Sequence, residues 1–278
     1  MTTADPATLA FIGGGNMARA LVGGLLQDGR DPGSLRVADP SPAARDHLRS
    51  RYPGLRVFDD NLAAADGAAT WVLAVKPQHM RQVSSSLAAL AQATRPLVIS
   101  IAAGIRADDV AGWLGTGTPV IRSMPNRPAL IGCGITALYA RPDVDAAQKT
   151  RAAAILGAVG GHVWVEDESL MDAVTAVSGS GPAYVFLLVE MLESAARAEG
   201  LDPAVARTLV IETVFGAARL ARESGEEPAV LREQVTSPGG TTAAALDVLE
   251  RSDIRDTFAR AIRAATQRSR KLAEEGGN

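Results

Sequence analysis

Through the first 166 residues, short apolar runs alternate with helical patterns; after that the alternation stops. "LAFIG" (9–13), "LRVAD" (35–39), "TWVLAV" (70–75), "PLVISIA" (96–102), "PVIRSM" (119–124) and "HVWVE" (162–166) are nearly continuous apolar runs rich in β-branched residues. Such runs predict strands buried on both faces, as in a parallel sheet. Between them lie stretches with helical spacing, among them residues 16–28, "AARDHLRSRY" and "HMRQVSSSLAALAQA". Crossovers of that length make right-handed βαβ units. The expected first domain, residues 1–166, is therefore α/β, a doubly wound Rossmann-type domain.

From 167 to 278 the pattern is helix upon helix. "SLMDAVTAV" leads into "SGSGPA", which reads as a helix break, and then into "YVFLLVEMLESAARAEG". Asp202-Pro203 opens the next helix, since proline is tolerated in a first turn. "EPAVLREQV" and residues 242–250 and 254–275 complete an all-helical second domain. Its segment "YVFLLVEML" has almost no polar side and must be buried all round. That makes it either the central helix of a monomer or a helix covered by a second chain. So small a domain has few places to bury it, which favours the second chain.

Composition narrows the partners. The 28 basic and 31 acidic residues are nearly balanced, and no basic stripe is interleaved with aromatics, so no nucleic-acid partner is expected. The one cysteine, Cys133, gives no intrachain disulfide framework, fits a reducing compartment, and reads as a small apolar packing residue. "MTTADPATL" has neither a basic start nor an apolar core, and no uninterrupted apolar run approaches the roughly 20 residues of a membrane span. His47, His79 and His162 are scattered, without the clustering a metal site needs. The expectation is a cytoplasmic protein with no metal and no membrane association.

Chemistry enters at "FIGGGNMA". Gly13-x-Gly15-x-x-Ala18 follows a strand and opens a helix. Gly13 permits a tight turn, Gly15 lets backbone approach a pyrophosphate, and Ala18 lets helix and strand pack closely. Asp39, about twenty residues past the motif, can accept the ribose 2′-OH of NADH; a 2′-phosphate needs a compensating cation, and Arg45 stands in a turn that can direct it away. "AVKP" (74–77) and "AAG" (102–104) also follow strands and should line the same cleft. The Lys76 backbone is read as positioning the cofactor, because an exposed lysine titrates too high to serve as a neutral-pH acid–base catalyst.

A second anion-binding pattern, "VTSPGGTT" (235–242), lies among the helices. Without its family context this loop reads equally as an anion cradle or as a plain helix cap. Past His162 the chain has no histidine, and its only lysine there is Lys271. Alcohol oxidation normally needs a base, whereas an imine can be reduced as an iminium already protonated by solvent. The chain therefore favours a C=N substrate.

"FIGGGNMA", "AVKP", "SIAAG", "RSMPNRPA", "DAVTAVSGSGPAY" and "VTSPGGTT", in that order, resemble the pyrroline-5-carboxylate reductases over essentially the whole chain. The resemblance implies hydride transfer from NADPH or NADH to the cyclic imine 1-pyrroline-5-carboxylate, giving L-proline. It implies a helical dimerisation domain that interlocks in a homodimer, with dimers commonly assembling into a decamer. Cofactor contacts would fall on Ile12, Gly13, Gly14, Gly15, Asn16, Met17, Asp39, Asn61, Ala74, Val75, Lys76, Pro77, Ile101, Ala102 and Ala103. Substrate contacts would fall on Glu168, Ser237, Thr241 and Thr242. Gly239 and Gly240 would let the Thr241 and Thr242 amides and the Ser237 hydroxyl face the substrate carboxylate. Thr242 is the candidate partner of the ring nitrogen. Glu168 is read either as stabilising the iminium or as an ordinary acidic helix start. At Asp39 some family members have a small hydroxyl residue suited to a 2′-phosphate, which leaves the coenzyme open. The rival readings are a reductase of a related cyclic imine, a hydroxy-acid dehydrogenase and a dinucleotide-sensing regulator. The dehydrogenase would place a catalytic Lys or His early in the helical domain, and none lies between Glu166 and Ser180.

Overall fold

Alternate residues of the first strand feed opposite cores. The structure, a computed structural model, describes residues 5–277. Strand β1 (Asp5–Ile12) sends Leu9 and Phe11 into one apolar cluster and Ala10 and Ile12 into the other. The remaining strands are β2 (Leu35–Ala38), β3 (Arg56–Phe58), β4 (Ala68–Leu73), β5 (Leu97–Ser100), β6 (Val120–Pro125), β7 (Gly134–Ala140) and β8 (Gly160–Trp164). Their spatial order is 3-2-1-4-5-6-7-8, with β1 to β6 all parallel. The first six follow the order of a dinucleotide-binding sheet.

Helices cover both faces. On the Leu9 side, α1 (Asn16–Gln27) contributes Leu21, Val22 and Leu25. Helix α2 (Pro42–Arg51) supplies Leu48 there, and α3 (Asn61–Ala65) puts Ala64 and Ala65 into the other core. On that second side α4 (Pro77–Thr94) buries Met80, Leu87 and Ala91, and α5 (Ala107–Leu114) buries Val110 and Leu114. Helix α6 (Ala146–Gly157), started by a reciprocal Asp145–Gln148 capping box, returns to the first side with Ala152, Ile155 and Leu156. Trp71 is fully buried, with its indole N–H donating to the carbonyls of Ala65 and Ala68.

Two strands escape the hydrophobic pattern. β3 is only three residues long. β7 begins in small residues and runs antiparallel to β6, so the sheet is not purely parallel as expected. A turn built on the short 3₁₀ segment Arg127–Ile131 joins the pair, and Asn126 ties it: its side-chain oxygen accepts from the Ile135 amide and its amide donates to the Ser178 carbonyl. Cys133 lies exposed in this turn, so the packing role expected for it is wrong.

"SGSGPA" does not break the helix. Glu168 to Leu170 form one tight turn, α7 (Met171–Val174) follows, and residues 175–179 form a single wide turn before α8 (Gly181–Ala198). The Ser180 amide donates to the Thr175 carbonyl, five residues back. Such wide turns absorb an irregularity within a continuing helix. Here Gly179 lets the chain pass close to β6, where a Cβ would come within 2.6 Å of Met124 Cε. The helical run Glu168–Ala198 is consequently long and apolar enough to cross a membrane by length and composition, contrary to the expectation of no such segment.

The remaining helices are α9 (Pro203–Ser224), capped by the Asp202 carboxylate, α10 (Pro228–Gln234), α11 (Thr241–Arg251) and α12 (Ile254–Gly277). The chain forms two compact units: one runs through Ser180 and resumes at Ala265, the other is Gly181–Ala264. The sheet ends near the boundary expected at residue 166, whereas compactness divides the chain later, and α12 serves both units. Within Gly181–Ala264, α8 packs on α9 yet leaves Phe186, Leu187, Met191, Leu209 and Phe215 each more than half exposed. Covering such side chains gains roughly 1.5–3 kcal/mol each, so this surface is built for a partner.

Candidate active site

In the first unit, the site is assembled where β1, β2, β4 and β5 end. The Gly13 amide donates to Ala38 O at 2.8 Å, Ala74 N to Ile12 O at 2.8 Å, and Ile101 N to Leu73 O at 3.2 Å. These bonds bring "GGG", "AVKP" and "IAA" to one edge of the sheet. Gly13 has φ +104°, and a Cβ there would meet the Ala74 carbonyl oxygen at 2.6 Å. Gly13→Ala should therefore cost about 1–3 kcal/mol, as a strained conformation plus a clash. Urea denaturation measures it; an unchanged midpoint would mean that the β1 and β4 ends can part at no cost.

Gly15 caps α1 without any side-chain hydrogen bond, and the space where its Cβ would project is open. The first-turn amides from Asn16 and Met17 onward thus keep their donors and the positive helix end for an anion. Ala18 is buried, as close packing requires. Arg19 Nε donates to the Gly14 carbonyl at 2.8 Å and steadies the loop from behind. Asp39 joins it from β2: Oδ2 accepts the Gly14 amide at 2.8 Å and Oδ1 the Ser41 amide at 2.8 Å. Arg45 turns back rather than away, donating to the Asp39 and Pro40 carbonyls at 2.9 Å. Asn61 opens α3, half-buried. Lys76 and Pro77 start α4 in the same uncapped manner as Gly15 starts α1, with the Lys76 side chain exposed. Ala102 is buried between the half-buried Ile101 and Ala103.

Glu168 belongs to this unit as well, and its carboxylate is already engaged. Oε1 accepts from Arg122 at 3.0 Å and from the Ala107 amide, the first of α5, at 2.7 Å. Arg122 is 5% and Glu168 18% exposed at the side chain. The pair borders a cleft of about 430 Å³ shared with Arg106, Asp172 and Arg270. Nothing in the sequence pattern announced the pairing, because Arg122 sits inside a strand and 46 residues separate the partners.

The unit Gly181–Ala264 contains the second loop. Thr236 closes α10 by donating its hydroxyl to the Arg232 carbonyl. Gly239 then takes φ +70°, and the Gly240 amide returns to the Ser237 carbonyl at 3.0 Å. Gly240 caps α11 with no side-chain hydrogen bond. The Thr241 and Thr242 amides therefore start a bare helix end, with the hydroxyls of Ser237, Thr241 and Thr242 unpartnered among the described residues. Such an end is suited to a carboxylate. The sequence-predicted residues thus fall into one cluster at the sheet edge, one engaged carboxylate, and one loop in the other unit.

A sheet ordered 3-2-1-4-5-6, with a glycine loop leading to a bare helix N-terminus, defines a dinucleotide-binding oxidoreductase domain. Residues 168–272 match the family model "pyrroline-5-carboxylate reductase dimerisation", and residues 8–104 match "NADP oxidoreductase coenzyme F420-dependent". The pyrroline-5-carboxylate reductase of Pseudomonas aeruginosa is 44% identical, covering 97% of this chain and 98% of that protein. That of Synechocystis is likewise 44% identical, covering 96% and 98%. Among solved structures, a pyrroline-5-carboxylate reductase from Coxiella burnetii superposes with a TM-score of 0.93 at 40% identity, covering 97% and 99%. That of Plasmodium falciparum, with NADP bound, gives 0.83 at 28% identity, covering 96% and 98%. This chain belongs to the pyrroline-5-carboxylate reductase family.

Proposed function

We infer that this protein reduces the C=N bond of 1-pyrroline-5-carboxylate to give L-proline, using NADH or NADPH. Alongside the family membership, one observation carries the reading: the bare first turn of α11, with three hydroxyls unpartnered among the described residues, in a unit that contains neither lysine nor histidine. That is a site for a small carboxylate whose reacting nitrogen needs no strong base. The glycine loop fits the dinucleotide, since Gly15 opens onto uncapped amides and Asp39 stands beside them. Bound by residues 12–17, Asp39, Asn61, 74–77 and 101–103, the nicotinamide cofactor supplies the hydride. The Thr241 and Thr242 amides with the Ser237 hydroxyl hold the substrate carboxylate, and the Thr242 hydroxyl orients the ring nitrogen or relays its proton. Glu168 acts on this chemistry through its ion pair, by fixing the start of α5. Nicotinamide absorbance at 340 nm, with the imine and either coenzyme, tests the reading. Cofactor-bound, folded protein that oxidises neither coenzyme would overturn it.

The exposed apolar surface of α8 and α9 supports a homo-oligomer, and the dimerisation match spans the same helices. Assembly of dimers into a decamer is the finer expectation, tested by mass from light scattering. The same partner burial accounts for the apolar run 168–198 without a membrane, and we place the protein in the cytoplasm. We also assign NADH as the preferred coenzyme. The Asp39 carboxylate repels a 2′-phosphate, while Arg45 spends hydrogen bonds on two carbonyls. Asp39→Ser should lower kcat/KM for NADH roughly ten- to a hundredfold, the worth of one charged hydrogen bond, and raise it for NADPH. Equal loss with both coenzymes would instead mean that Asp39 serves only to hold the Gly14 amide.

A further inference from the structure

The glycine loop is held from behind by a cation that the local rules of helix stability would not place there. Arg19 is the fourth residue of α1, near the helix end where free N–H groups leave positive charge, and no acid stands in that first turn. It makes no ion pair among the described residues. Its side chain instead serves the loop, Nε donating to the Gly14 carbonyl at 2.8 Å. Side chains on a helix lean toward its N-terminus, so a long one at this position reaches back over the first turn. The Tyr52 hydroxyl, at the end of α2, donates to the Arg19 carbonyl at 3.2 Å and ties this stretch of α1 down. Gly23 makes room for it, because a Cβ there would meet Tyr52 Oη at 3.0 Å.

The Arg19 bond decides where a neighbouring donor points. The Gly14 carbonyl and the Gly15 amide belong to one planar trans peptide, so they face opposite ways. With the carbonyl turned to Arg19, the Gly15 N–H is turned away from it, and it makes no hydrogen bond among the described residues. The Asp39 carboxylate holds the preceding peptide through the Gly14 amide at 2.8 Å. Two opposite charges thus grip the two sides of one glycine, whose backbone would otherwise leave both peptides free to turn.

We propose that Arg19 is a positioning residue for the cofactor: by fixing the Gly14–Gly15 peptide it keeps the Gly15 amide as a donor to the dinucleotide pyrophosphate. This rests on the dinucleotide reading of the loop. The test separates the Nε–H from the charge. Glutamine carries its amide nitrogen the same number of bonds from Cα as arginine carries Nε, so Arg19→Gln keeps the hydrogen bond and removes the charge. Arg19→Met puts a methyl group in that place. Fluorescence titration of NADH into the full-length protein, without imine, reads affinity directly. Arg19→Met should bind NADH at least roughly tenfold more weakly, in the range of one charge-assisted hydrogen bond, and Arg19→Gln should recover most of that loss. Competition by ADP-ribose, which has the pyrophosphate and lacks the nicotinamide, should weaken by the same factor. In imine reduction, KM for NADH should rise in Arg19→Met with kcat unchanged, as when an interaction common to ground and transition states is removed. Unchanged NADH affinity in Arg19→Met overturns the proposal, as does a loss seen with NADH and absent with ADP-ribose. A loss as large in Arg19→Gln as in Arg19→Met also overturns it, because the charge would then act on the phosphates without the peptide. Parent protein that binds no NADH sinks the dinucleotide reading itself, a failure visible before any variant is compared.

Discussion

Thr242→Val is expected to lower turnover about a hundredfold, the effect of losing an acid–base contact, while leaving folding and cofactor affinity as they are. Valine keeps the shape of threonine and removes only the hydroxyl, which has no hydrogen bond to lose among the described residues. The amides at the head of α11 stay in place, so the carboxylate is still held and KM should move much less than kcat. Steady-state kinetics over a range of imine concentrations separates the two constants. A kcat within twofold of the parent would remove Thr242 from the proton path and leave the bare helix end as a carboxylate holder alone.

Removing Glu168 should have the larger effect on stability. Glu168→Ala strands the Arg122 guanidinium, 5% exposed, inside the sheet, and uncaps α5 at Ala107. Breaking a buried pair in this way costs about 3–5 kcal/mol, whereas replacing both charges by apolar groups of similar volume is close to neutral. Urea denaturation of Glu168→Ala, and of Glu168→Leu combined with Arg122→Met, compares the two. Equal stability of the parent and Glu168→Ala would show the pair to be energetically idle. A loss of kcat in the stable double variant, far beyond any change in stability, would restore Glu168 to direct contact with the reacting ring.

The first half of the fold was legible because each strand's burial is written into its own residues. "LVIS" is buried at all four positions, and no neighbour is needed to recognise it. β7 was harder, since its hydrophobicity is diluted by small residues and its pairing with β6 depends on a turn held by Asn126. "SGSGPA" misled for a related reason: glycine signals either a break or a close approach, and only the nearness of Met124 decides between them. In the site, the glycine loop and "SPGGTT" carry their geometry locally, through φ values at Gly13 and Gly239. The Arg122–Glu168 pair is a product of distant segments meeting, 46 residues apart. A single line of residues contains no sign of which charges will meet.

The division of α12 between two units sets an order on synthesis. Ser269 donates its hydroxyl to Asp172 at 2.7 Å across 97 residues of chain, and Leu272 packs over Gly104. At ~5–20 residues per second the ribosome needs roughly 5–20 s to cover that interval. During that time the sheet can form, yet the side that residues 265–277 will close stays open. The nascent chain meanwhile extrudes α8 and α9 with their apolar faces bare, so the unit that seals last is the one built first. Chaperone demand should accordingly peak late in translation, when both the unsealed sheet and the unpartnered helices are exposed together.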